Sequence, residues 1–213
     1  MIAASLTTIG RTLGFSFAAG INLYATVAIL GLASRYGWVA LPPQYQVFDN
    51  NWIIGAAIVL YVVEFIADKI PWIDTVWDAI HTVVRPVGGA VIAVATLGDA
   101  SPGTETLIGL LGGTLAAGTH LGKAGTRVVA NASPEPFSNW ILSLVEDGFV
   151  VGLGFLALKY PAAAAVVVVI GVIVLVAFAS WIYRALRRRF GRGSGAGSET
   201  PQPPRLRNSA TPR

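Results

Sequence analysis

Val62-Val-Glu-Phe-Ile-Ala-Asp-Lys-Ile-Pro-Trp-Ile-Asp-Thr-Val-Trp-Asp-Ala-Ile-His-Thr-Val-Val-Arg-Pro-Val-Gly-Gly89 runs from apolar sequence through a dense set of charges and back again. Glu64 and Asp68 are four apart, so on a helix they share a face. Pro71 lacks an N–H and stops simple continuation of that helix, but it suits the first turn of a new one. In the new helix Asp74, Asp78, His81 and Arg85 recur at steps of four, three and four, which makes one continuous polar stripe. The aspartates lie toward its positive end and Arg85 further toward the negative end, as the helix dipole favours.

Around this stretch the chain is oily. Of its 213 residues 54% are hydrophobic and 12% charged, where a soluble domain carries about 25% charged residues. Mean hydropathy is +0.64. The composition therefore predicts an all-α integral membrane protein. Cysteine is absent, which excludes disulfides, thiolate metal sites and a cysteine nucleophile. The net charge of +4 arises from Arg184, Arg187, Arg188, Arg189 and Arg192, just beyond an apolar run. That is a membrane-side anchor, not a nucleic-acid surface.

About six transmembrane helices are expected: Thr12–Ala33, Trp52–Lys69, a third between Trp72 and Leu97, Thr106–Ala130, Phe137–Leu158 and Pro161–Tyr183. The first apolar run lacks a small-x-small cleavage site and reads as a retained span. Two readings of the third stay open: an interfacial helix with a half-span behind it, or one helix kinked at Pro86-Val-Gly-Gly89. The broken or kinked form is preferred. Residues 1–189 are expected to form a single polytopic domain, and residues 190–213 a disordered basic tail. Lys and Arg fall mainly on the side of the tail, which places both termini in the cytoplasm of an inner membrane.

Gly14-Phe-Ser-Phe-Ala-Ala-Gly-Ile-Asn-Leu23 aligns with Gly112-Gly-Thr-Leu-Ala-Ala-Gly-Thr-His-Leu121 at five of ten positions. Val63-Glu64 likewise matches Val145-Glu146. Three spans repeated once lie in opposite orientations, so the expectation is a three-plus-three inverted repeat with halves at about 10–98 and 106–186. Alanine- and glycine-rich membrane helices also resemble one another by composition alone. Gly118-x-x-x-Gly122 and Gly148-x-x-x-Gly152 read as close-approach motifs.

His120, Lys123 and Arg127 share one face of the fourth span, and Glu146 and Asp147 sit inside the fifth. A charge at the bilayer centre costs about 2.5–3.5 kcal/mol on the lenient insertion scale. The polar set is therefore expected to turn inward as a network: Asn22, Glu64, Asp68, Asp74, Asp78, His81, Arg85, His120, Lys123, Arg127, Asn139, Glu146 and Asp147. No spacing specific to a metal site, nucleophile elbow or phosphate loop appears, so neither a cofactor nor a catalytic residue is expected. A metal stays open, with Asp74, Asp78 and His81 the ligands it would take.

The blocks Gly20-Ile-Asn-Leu-Tyr-Ala-Thr26, Val63-Glu-Phe-Ile-Ala-Asp-Lys-Ile-Pro71, Asp78-Ala-Ile-His-Thr82, Lys123-Ala-Gly-Thr-Arg127 and Ser133-Pro-Glu-Pro-Phe-Ser-Asn139 together resemble a bacterial membrane family, domain of unknown function 4126. The resemblance covers about residues 14–158. It implies a multi-pass membrane protein and brings no activity with it. The first functional reading is a secondary transporter of an ion or small polar solute, proton-coupled through Glu64 and Glu146. A non-catalytic scaffold, and an enzyme on a lipid-linked or phosphate-bearing substrate, stand beside it. The lipid bilayer is the expected partner, nucleic acid is not, and homo-oligomerisation is left open.

Overall fold

The computed structural model describes residues 2–131 and 136–190. Among them are seven α-helices, one 3-10 helix and no strand. The helices are α1 (Ile2–Ile21), α2 (Leu23–Tyr36), α3 (Asn51–Ala67), α4 (Pro71–Leu97), α5 (Pro102–Asn131), α6 (Pro136–Lys159) and α7 (Pro161–Phe190), with the 3-10 helix at Pro43–Phe48. Four of the α-helices open on proline, which loses nothing where the first N–H has no intrahelical partner. Asn50 caps α3 by accepting from the backbone N–H of Trp52 (2.8 Å) and Ile53 (3.3 Å). Gly37 ends α2 at φ +59°, a left-handed conformation that favours glycine.

Three helical segments are long and apolar enough to cross a membrane: Trp72–Leu97, Asn139–Lys159 and Pro161–Ala185. The shorter Asn51–Ala67 is also apolar. Their outer surfaces are oily, with Trp52 and Trp72 and the valines and leucines of α4, α6 and α7 exposed. Lipid is the solvent such surfaces require.

Of the expectations about helix breaks, one of the two open readings is excluded and one expectation is corrected. The third span is a single 27-residue helix, α4, running through Pro86, so the interfacial helix with a half-span behind it does not form. The break lies in the first span. Thr12–Ala33 divides at Asn22, which takes φ −145° and ψ 100° between α1 and α2. Asparagine makes this cheap, because its Oδ1 accepts from Ala25 N–H (2.9 Å) and replaces the lost helical partner. In the aligned segment α5 runs unbroken through His120, so the two matched stretches do not share this feature.

The core is built around α1, which packs on α4, α5 and α6, while α2 packs on α3 and the 3-10 helix. Phe15, Ala18, Ala19, Leu30, Ile92, Val150 and Ala157 fill it. Backbones approach closely where α1, α4 and α5 cross: a Cβ on Gly89 would meet Ala116 and the Gly112 carbonyl at 3.0 Å. The expected close-approach motifs differ from this. Gly122 lies against Leu175, whereas Gly118, Gly148 and Gly152 face open space.

The chain divides at α7 into a compact unit ending at Val176 and a second beginning at Ala177. In the second, Trp181, Tyr183, Arg184, Arg187 and Arg188 are exposed. The expected disordered tail and Ser133–Glu135 of the fifth block lie outside the described residues.

Candidate functional site

The stripe on α4 is buried as its spacing requires: Asp74, Asp78, His81 and Arg85 are all 6% exposed or less. From Asp74 to Arg85 it rises about 16 Å at 1.5 Å per residue. It thus leads from the end of the bundle where α3 joins α4 toward the level of the Asn22 break. Glu64 and Asp68 from the end of α3, His120, Lys123 and Arg127 from α5, and Asn139, Glu146 and Asp147 from α6 complete the polar interior.

Three cations and three carboxylates form a matched set. Arg85 Nη2 donates to Glu64 Oε1 at 2.6 Å, with both side chains fully buried. Arg127 Nη2 reaches Glu146 Oε2 at 2.6 Å and Asp68 Oδ2 at 2.9 Å. Lys123 Nζ sits among the same acids, 3.3 Å from Glu64, 3.4 Å from Asp68 and 3.6 Å from Glu146. The broken helix adds acceptors, because the carbonyls near the end of α1 turn toward this cluster. Gly20 O receives Arg85 Nη1 and Ile21 O receives Lys123 Nζ, each at 3.4 Å. These are the negative end of a helix dipole, where a cation is stabilised.

Three further aspartates lie in the same interior. Asp74 lies 3.5 Å from Arg127 Nη1 and Asp78 lies 3.6 Å from Arg85 Nη1, both guanidinium groups already being engaged more closely elsewhere. Asp147 has no ion-pair partner among the described residues. Its Oδ1 accepts from Asn22 Nδ2 at 3.0 Å and its Oδ2 is buried without a hydrogen bond. Asp74 and Asp78 are thus the longer-range partners of those two arginines, and Asp147 stands apart from them.

The two histidines are held by other partners. His120 Nδ1 meets a guanidinium N–H of Arg85 at 2.7 Å and must accept, while Nε2 faces the Asp78 carbonyl and Thr82 Oγ1 at 3.1 Å and must donate. His81 donates Nδ1–H to Trp77 O at 2.7 Å, and its Nε2 shares a hydrogen bond with Tyr24 Oη at 2.9 Å, a hydroxyl that can donate or accept.

The α4 stripe fans out to different partners. His81 stacks on Trp77 and pairs with Tyr24, whereas Asp74 and Asp78 face α5. Among the described residues no three acidic, His or Cys side chains converge as a group that could hold a metal. Asn139 is buried one turn before Ser143 on α6, and Ser143 Oγ donates to Asp68 Oδ2 at 3.4 Å. Sequence reasoning missed Ser143, Tyr24 and Thr82. Ser143 was findable, since it stands four residues from both Asn139 and Asp147 on the same face.

Asn22→Ala is expected to cost about 2 kcal/mol, combining about 1 for a lost N-cap with about 1 for an Asp147 oxygen left without its donor. Asn22→Asp keeps the cap but faces Asp147 with a second carboxylate, and should be the worse of the two. Unfolding of each variant in mixed micelles checks the order.

No curated protein and no solved structure matches this chain. A family model matches residues 9–184, and the chain belongs to the family described as Domain of unknown function (DUF4126).

Proposed function

We propose that this is a secondary transporter of the bacterial inner membrane, coupled to protons or small cations through the buried Asp147. The carrying observation is Asp147: Arg85, Lys123 and Arg127 pair with Glu64, Asp68 and Glu146 and, at longer range, with Asp74 and Asp78, whereas the buried Oδ2 of Asp147 has neither an ion pair nor a hydrogen bond among the described residues. A buried charge without a counter-charge costs several kcal/mol, so Asp147 holds a proton or a cation and exchanges it. Asp147 is the coupling group, because it sits at the helix break. Broken helices whose ends face charged ligands are how membrane transporters build midplane sites. Glu64 and Glu146, in short ion pairs, serve as structure.

In this reading the broken α1–α2 pair counts as one span, α3 to α7 supply five more, and both termini face the cytoplasm. The excess of Lys and Arg at Arg11, Lys69, Lys123, Arg127 and the tail supports that orientation. The charged column would then open to the cytoplasm, and the glycine-lined crossing of α1, α4 and α5 would close the opposite half.

The test is proton movement in proteoliposomes loaded with a pH dye, on addition of candidate solutes across a gradient. Asp147→Asn should lower coupled proton flux at least tenfold, and Asp147→Glu should retain part of it. Flux in an Asp78→Asn, Asp147→Asn double variant equal to wild type would sink the proposal. The matched ion pairs favour a scaffold as the second reading, in which no solute moves protons at all.

A further inference from the structure

Asp147 is 8% exposed and accepts from Asn22 Nδ2 at 3.0 Å, while its Oδ2 is buried with no hydrogen-bond partner. The amide that faces it cannot turn around. Asn22 Oδ1 already accepts from Ala25 N–H at 2.9 Å as the cap of α2, so only the amide nitrogen is presented to the carboxylate. Backbone oxygens of the break are committed as well. Ala18 O receives Asn22 N–H at 2.9 Å, and Asn22 O receives Thr26 N–H at 3.2 Å and Thr26 Oγ1 at 2.8 Å. Gly20 O and Ile21 O take Arg85 and Lys123.

From this arrangement we infer that the ion bound by Asp147 is the proton, taken at Oδ2, and that the helix break excludes metal cations. Hard cations require several oxygen ligands. Beside Asp147 they would meet a fixed N–H donor and carbonyls already spent on other donors. A proton needs none of these oxygens. One O–H bond forms at Oδ2, no bond breaks, and the charge that burial penalises disappears. Oδ1 of the neutral acid still accepts from Asn22, so the contact with the break survives protonation. The titratable groups around Asp147 are Tyr61, Glu64, Asp68 and Lys69 from α3 and its end, Lys123 from α5, and Glu146 beside it in the chain. Lys69 Nζ donates to Phe65 O at 2.8 Å and lies 3.0 Å from the centre of the Phe65 ring. Lys123 is ringed by Glu64, Asp68 and Glu146. Both lysines are therefore held by other partners. This inference rests on the transport reading and deepens it by naming the coupling ion.

The experiment is infrared difference spectroscopy of the full chain in nanodiscs across a pH titration. Acidification should raise a carboxylic C=O band at the high-frequency end, where weakly hydrogen-bonded acids absorb. Asp147→Asn should remove this band and Asp78→Asn should keep it. Sodium, lithium or potassium should change its apparent proton affinity less than twofold. Heavy-isotope aspartate should shift the band in the unsubstituted protein and heavy-isotope glutamate should not, so a folding defect in Asp147→Asn leaves the test intact. Absence of the band, its persistence in folded Asp147→Asn, its shift with the glutamate label, or a larger effect of any of the metal ions would overturn the inference. A band that meets every expectation in a protein that moves no protons would remove the transport reading and leave the proton site standing. Flux driven by a sodium gradient, with no such band, would do the reverse.

Discussion

Arg85→Met is expected to lower unfolding stability by about 3–5 kcal/mol, the usual cost of removing one partner from a buried ion pair. Arg85 and Glu64 are both fully buried and 2.6 Å apart, so the substitution leaves a carboxylate with Lys123 alone at 3.3 Å. His120 Nδ1 loses its donor and Asp78 its cation in the same step. A double variant, Arg85→Met with Glu64→Leu, should recover most of the loss, since apolar residues of similar volume replace buried pairs at little cost. It should not recover all of it, because Asp78 stays uncompensated. The readout is unfolding in mixed micelles for the four members of the cycle. A single-variant loss below about 1 kcal/mol would show an interior open to water, where ion pairs contribute that little.

The second large effect concerns packing. Gly89→Val should cost about 3 kcal/mol, at the upper end for overpacking a tight core. A Cβ there would press on Ala116 and on the Gly112 carbonyl, both parts of a neighbouring helix that cannot step aside. Gly112 is hemmed in equally, with Gly89 O at 2.8 Å and Ser16 Oγ at 2.9 Å from an added Cβ. Removing a helix-interior glycine would otherwise gain about 0.5–1 kcal/mol, so the clash must outweigh that gain. Gly148→Ala is the control, because nothing lies within 4 Å of its added methyl. It should be neutral or slightly stabilising in the same assay. Equal losses at both positions would contradict the crossing of α1, α4 and α5.

Composition and periodicity were enough to establish helices, an oily exterior and an inward polar stripe. Carbon-rich side chains at this density demand lipid, and charges at steps of three and four on a helix can only share a face. Every stripe residue on α4 and α5 is buried as that logic requires. Partner choice was a different matter. Glu64 and Glu146 looked like carriers because they aligned, yet each ended in a 2.6 Å pair with an arginine. Asp147, adjacent to Glu146 in sequence, points instead to Asn22 and makes no ion pair among the described residues.

The amino-acid order alone determined that this is a helical membrane protein with ionisable groups inside it, because hydropathy and helical period are local properties. Only the tertiary structure decided which charges cancel and where the chain breaks. Those outcomes depend on ångström distances between helices far apart in sequence, and on Asn22 capping its own break while donating to a side chain 125 residues away.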